Sequence, residues 1–154
     1  MSTIETKYAK AYHLAGAIGA AIGGLFPFCN ILLPVIVWAI YGDGSKFSRH
    51  HGWQAVRFQL ILSVYWIALG LIAFVGFGAS FFGGFALSAI FDNPAGLIGG
   101  MSISALLLMF TLVVTASLYA FGVIAPIFGM NRASNGEFWN YPFVFARGQS
   151  PAAA

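Results

Sequence analysis

From Phe58 to Asn131 the chain carries a single formal charge, Asp92, and no lysine or arginine. A second uncharged stretch runs from Leu14 to Tyr41. About 20 consecutive apolar residues suffice for a helix to cross the hydrocarbon core of a bilayer. Runs of this length therefore restrict the fold more than any motif does. Composition agrees: charged residues make up 7% of the chain, against roughly 25% in a soluble domain, and the mean hydropathy is +0.86. A 154-residue chain cannot hide that much apolar surface from water, because small domains leave a large share of their surface exposed. The expected medium is lipid.

The uncharged sequence divides into three stretches, Leu14–Tyr41, Phe58–Phe91 and Asn93–Asn131. As one helix the first would be roughly 42 Å long at 1.5 Å per residue, more than one crossing needs and less than two full ones. Pro27 and Asn30 interrupt it in "FPFCN", and Pro34 follows. Proline inside a helix removes a hydrogen bond and clashes with the preceding turn. Asn30 is suited to cap a helix restarting at Ile31, with Pro34 in its first turn. Charge placement favours a hairpin broken at Pro27–Asn30 over one kinked span. Lys7 and Lys10 precede the stretch, Lys46, Arg49 and Arg57 follow it, and Arg132 and Arg147 follow the third. Only a hairpin puts all of them on one side, as the positive-inside bias prefers. A span over 58–77, a glycine-rich connector with a short interfacial helix, and a span over 101–128 complete the expected path.

The expected architecture is thus an all-α polytopic membrane protein. It has an N-terminal helical hairpin, two transmembrane helices and an interfacial aromatic C-terminal segment. Residues 1–13 form a cytoplasmic N-terminal segment, 14–148 one membrane-embedded domain, and 149–154 a disordered tail. Both termini are expected on the cytoplasmic face of a bacterial inner membrane. The first apolar run is about twice a signal-peptide core in length and no polar cleavage region follows it, so it is read as part of the mature chain.

Charge and histidine crowd together only in "SKFSRHHGWQAVRFQL", Ser45–Leu60. At about 100° per residue, Lys46, His50, Trp53 and Arg57 form one stripe with Arg49 beside it. Phe47, His51, Ala55, Phe58 and Leu62 form an apolar second stripe. Lys46, Arg49, Trp53 and Arg57 are expected at anionic lipid headgroups, each cation contributing on the order of 1 kcal/mol. His51 falls on the apolar stripe, at a depth comparable with His13. Two histidines from neighbouring helices suit haem or a metal, but no third ligand is suitably spaced, so a hydrogen-bonded packing role is expected and no cofactor.

Gln59 is expected to bond a neighbouring helix or a backbone carbonyl, an effect of about 0.6–2 kcal/mol. Gly16, Gly19 and Gly23 give the first arm small faces that let helices approach closely where lipid supplies no hydrophobic drive. These faces serve contacts within the chain, with a second copy, or with other membrane subunits. Trp139, Tyr141 and Phe143 around Pro142 are expected as an aromatic anchor at the interface.

Several function classes recede. Seven Lys and Arg, scattered along the chain, do not make the basic face that nucleic acid requires. Glu5, Asp43, Asp92 and Glu137 are the only acids, and all are expected outside the hydrocarbon. No nucleophile–base pair and no phosphate loop is present, so no enzyme is expected. Cys29, the single cysteine, excludes an internal disulfide and is expected to pack as a small apolar side chain.

"HLAG" from His13, "FPFCNILLP" and Trp38 resemble the first segment of a bacterial group. "SKFSRHHGWQAVRFQ" resembles its second segment through Phe47, His51, Ala55, Phe58 and Gln59. "NRASNGEFWNYPF" resembles its closing element through Gly136, Glu137, Tyr141 and Pro142. The group is the Tic-like small membrane proteins of uncharacterised function. It is distantly similar to the chloroplast inner-envelope import channel component, and magnetosome membrane proteins belong to it. The resemblance covers about Tyr8 to Phe143 and implies a compact membrane unit of about four helical segments, with no single activity. The functional expectation is an accessory or assembly subunit of a membrane complex. A channel or translocation component and a haem- or quinone-associated redox subunit are its alternatives.

Overall fold

A computed structural model describes residues 2–23, 28–42 and 45–144. They form four helices: α1, Thr3–Ile22; α2, Cys29–Tyr41; α3, Lys46–Phe91; and α4, Ala95–Ser134. No strand occurs among the described residues. The chain folds as two compact units, unit 1 comprising 1–63 with 119–154, and unit 2 comprising Val64–Leu118.

α1 starts eleven residues before the apolar run because a capping box nucleates it there. The Ser2 hydroxyl accepts from the Glu5 N–H, and the Glu5 carboxylate accepts from the Ser2 N–H, so both satisfy otherwise orphaned donors. The bond from the Ser2 backbone holds the Glu5 carboxyl below the ordinary carboxylate range.

The restart of the first apolar stretch differs from the expected one. Pro27 and Gly24 lie outside the described residues. α2 begins at Cys29 with Phe28 at its N-cap in the left-handed region, φ 68°, and Asn30 does not cap it. As the second helical residue Asn30 points across to α3, and its amide donates to Ser63 Oγ at 2.8 Å and to Gln59 Oε1 at 3.4 Å. Pro34 is consequently inside the helix and buried, not in its first turn.

The glycine-rich connector expected after Phe77 is helix. α3 runs unbroken to Phe91, and the reversal sits in Asp92-Asn93-Pro94. Asp92 takes φ 47°, and the Asn93 N–H returns to the Ser88 carbonyl, which is the bonding of a Schellman stop. Asn93 Oδ1 accepts from the Ala95 N–H, and Pro94 cannot continue α3, so α4 starts six residues earlier than expected. At its far end α4 stops in the same manner. Gly136 takes φ 73° and the Glu137 N–H returns to the Arg132 carbonyl. The sharp stop folds the chain back and delivers residues 137–144 to unit 1.

Within unit 2 the α3 and α4 segments meet at a glycine contact. A Cβ on Gly100 would stand 2.4 Å from the Ser80 carbonyl oxygen, and one on Gly84 would stand 2.7 Å from the Gly100 Cα. The Ser80 and Ser104 hydroxyls lie 2.8 Å apart. The remaining faces of unit 2 are apolar and exposed, with Phe74, Ile90 and Phe91 each more than two-thirds accessible. α3 and α4 are long and apolar enough to cross a membrane.

Unit 1 has the polar interior. Its largest fully buried side chains include Tyr12, His13, Ser48, His51, Phe58 and Gln59. The two stripes of the α3 entry separate as their spacing requires. Phe47, His51, Ala55, Phe58 and Leu62 are buried, whereas Lys46, Arg49 and Trp53 are exposed and Arg57 is half-buried.

Candidate functional site

The α3 entry presents His50, His51 and Gln54 at offsets of one and three residues, so these side chains emerge within one turn of each other. All three hold the returning C-terminal segment. His50 Nε2 lies 3.0 Å from the Trp139 carbonyl oxygen, and His51 Nε2 lies 3.1 Å from that of Glu137. Gln54 uses both ends of its amide: Nε2 donates to Asn140 Oδ1 at 3.0 Å, and Oε1 accepts from the Tyr141 N–H at 3.3 Å. Aromatic contacts reinforce the clamp. Tyr141 stacks on Phe58 with centroids 4.1 Å apart, and Phe138 meets Phe47 edge-on at 5.3 Å.

Behind this clamp α1 contributes His13, fully buried. His13 Nε2 lies 2.7 Å from His51 Nδ1, and His13 Nδ1 lies 2.6 Å from the Tyr141 hydroxyl. The direction of every bond follows from one end. The Glu137 carbonyl can only accept, so His51 carries its proton on Nε2. A neutral His51 then accepts at Nδ1, which requires His13 to carry its proton on Nε2. His13 in turn accepts at Nδ1, so the Tyr141 hydroxyl donates. Tyr141, His13, His51 and the Glu137 carbonyl form one polarised chain with each ring nitrogen used once. Burial pushes the Tyr141 phenol well above its ordinary pKa, which keeps it a donor. Beside the chain, the Tyr12 and Ser48 hydroxyls bond each other at 2.9 Å.

This geometry belongs to hydrogen bonding and not to metal ligation. Two imidazole nitrogens sharing a zinc at about 2.0–2.1 Å each stand roughly 3.4 Å apart in a tetrahedral site, well beyond the 2.7 Å separation here. Among the described residues no group of three His, Cys, Asp or Glu side chains is placed to hold a metal.

A second polar knot joins α1, α2 and α3. Gln59 Nε2 donates to the Gly16 carbonyl at 3.0 Å, Asn30 bridges Gln59 and Ser63, and Ser63 Oγ donates to the Gln59 carbonyl. Gly16 faces this amide, a Cβ there standing 3.2 Å from Gln59 Nε2. Gly19 marks the α1–α2 crossing, where a Cβ would stand 2.4 Å from the Cys29 carbonyl oxygen. A Cβ on Gly23 would meet α2 only at the Asn30 Cβ, 4.0 Å away.

The expected headgroup residues occupy a different surface. The Arg57 guanidinium lies over the Trp53 ring at 4.5 Å, and Trp53 contacts Trp38 at 5.5 Å. The three aromatic residues expected as an anchor separate as well. Phe143 is exposed, Trp139 half-buried, and Tyr141 only 2% accessible, so Tyr141 belongs to the interior of unit 1.

Gln54 and Asn140 are absent from the residues singled out in the sequence, although Gln54 shares the histidines' helical turn. The Glu137 carbonyl, which sets the chain's polarity, carries no side-chain signal. One family model matches residues 4–147, that of the Magnetosome magnetite crystal formation protein family. No curated protein and no solved structure matches the chain.

Proposed function

We propose, starting from the fact that this chain belongs to the magnetosome magnetite crystal formation protein family, that it is a non-enzymatic accessory or assembly subunit of a magnetosome membrane complex. It acts through helix packing and contact with anionic lipid. One observation carries this reading. In unit 1 the His13, His51, Gln54, Gln59 and Tyr141 side chains spend their bonds on one another, on Asn140 and on the backbone, while unit 2 presents bare apolar helix surface. Such a molecule is built to sit in lipid and against other helices, where shape and small residues decide association. Its two unit 2 arms, about 42 and 36 Å long at 1.5 Å per residue, exceed a hydrocarbon core of about 30 Å. A multi-pass arrangement in a bacterial inner membrane, with both termini cytoplasmic, accommodates them, and Lys46, Arg49 and Arg57 with Trp53 then meet the headgroups.

The test is purification of the tagged chain in mild detergent from cells that form magnetite. Stable, colourless co-purification with one membrane assembly, together with altered crystal size or number on deletion, is expected. Three results overturn the reading: a Soret band in the purified chain, ion flux through the chain alone in liposomes, or unaltered crystals on deletion.

A further inference from the structure

We propose that residues 137–144 form a pH-sensitive latch, closed on unit 1 by the Tyr141–His13–His51 hydrogen-bond chain and released when that chain takes up a proton.

The inference rests on the count of donors and acceptors. In the closed state the chain is saturated: each of the four imidazole nitrogens of His13 and His51 has one partner, and the terminal Glu137 carbonyl fixes which nitrogens donate. A proton added to His51 puts N–H groups on both its nitrogens. His13 must then accept at Nε2 and shift its own proton to Nδ1, where the Tyr141 oxygen has to accept. The phenolic proton, buried against Phe58, loses its acceptor. A proton added to His13 instead sets its Nδ1–H against the phenol with the same result. The closed arrangement therefore admits an extra proton only by stranding a buried donor and by burying a cation.

Among the described residues no carboxylate is hydrogen-bonded to either histidine of the chain. From α1 the chain is faced by Tyr12, whose hydroxyl bonds Ser48, and from α3 by His50. From the C-terminal segment it is faced by Tyr141, while the Glu137 carboxylate is turned away to the exposed Arg132 of α4. The titratable side chains of α2 are Cys29 and Tyr41, the latter stacked on Tyr8 of α1. His50 holds the segment but lies outside the Tyr141–His13–His51 chain. It holds Trp139 with Nε2 alone, and a second proton on its other nitrogen leaves that bond intact. An exposed imidazole takes up a proton near pH 6.5, so opening the latch frees both chain histidines to charge. The closed state is favoured above that value and loses ground as the pH falls below it.

Hydrogen exchange of the full chain in detergent, corrected for the intrinsic pH dependence, reads the latch directly. Amides of residues 137–144 should lose at least tenfold protection between pH 7.5 and 5.0, while amides of residues 64–118 keep theirs. Gly70→Ala, where a methyl meets nothing within 4 Å, should retain this step, and His51→Gln should shrink it. Imidazole nitrogen chemical shifts of the unaltered chain supply a second readout that needs no variant. His13 and His51 should both be neutral with the proton on Nε2 at pH 7.5, and should charge together with release of the segment. Protection that does not change with pH, equal steps in His51→Gln and the unaltered chain, or histidines that charge while the segment stays protected would each overturn the latch.

Discussion

At the residue scale the most exacting contact is the Tyr141 hydroxyl on His13. Replacing Tyr141 with Phe keeps the ring stacked on Phe58 and deletes only the donor, leaving a buried imidazole nitrogen without a partner. A loss of about 1–3 kcal/mol is expected, measured as a lower unfolding midpoint in detergent. Tyr141→Leu should lose roughly a further 0.5–1.5 kcal/mol with the ring pair. If both variants melt with the parent, the polarised chain contributes nothing to stability. The glycines supply a graded series. Gly19→Ala drives a methyl into α2 backbone, Gly16→Ala has only to displace the Gln59 amide, and Gly70→Ala meets nothing within 4 Å. Destabilisation should fall in that order. Gly70→Ala should be neutral or stabilise by up to about 1 kcal/mol through helix propensity. This site was partly legible in the sequence. His51 lies on the apolar stripe of its helix and His13 at a matching depth, so their meeting follows from periodicity. Tyr141 did not follow, because an aromatic cluster after an apolar helix has the composition of an interface belt whether its rings point outward or in.

At the scale of elements, the lengths of α3 and α4 are decided by their stops and not by their glycines. Glycine in a helix interior costs about 1 kcal/mol relative to alanine, which is why "GASFFGGFALSAIF" reads as a connector. Inside unit 2 the same absence of Cβ atoms lets Gly84, Gly96 and Gly100 bring two backbones together, and close packing is what helices without water rely on. The hairpin break near Asn30 was visible because it carries residue types with strong local preferences. The continuity of α3 was not, because it depends on a partner helix outside the local window. A double replacement, Ser80→Cys with Ser104→Cys in a Cys29→Ser background, should cross-link readily on mild oxidation, since the two hydroxyls stand 2.8 Å apart. Adding Gly100→Ile should abolish that cross-link by forcing the arms apart. Equal cross-linking with the isoleucine present would mean that the glycine contact does not set the spacing.

At the scale of the whole molecule, charge follows the division into units. Lys7, Lys10, Lys46, Arg49, Arg57, Arg132 and Arg147 all fall within the range of unit 1, and the range of unit 2 contains only Asp92. Carrying a lysine or arginine to the centre of a bilayer costs about 2.5–3.5 kcal/mol on insertion scales, whereas near an anionic leaflet each contributes on the order of 1 kcal/mol. An orientation that strands two cations on the opposite face forfeits the second term at both and leaves the hairpin turn at Asp92 without a distinguishing side. We therefore predict one orientation. In a Cys29→Ser background, single cysteines at Thr3 and Ser45 should react with a membrane-impermeant maleimide from the same, cytoplasmic, side, and one at Asp92 should react only from the other. The arrangement of α1 and α2 decides the first half of this prediction and the reversal at Asp92-Asn93-Pro94 the second, so each half can fail alone. Labelling of the Thr3 and Ser45 positions from opposite faces would replace the N-terminal hairpin with a single crossing. Labelling of the Asp92 position from the cytoplasmic face would remove unit 2 from the bilayer core.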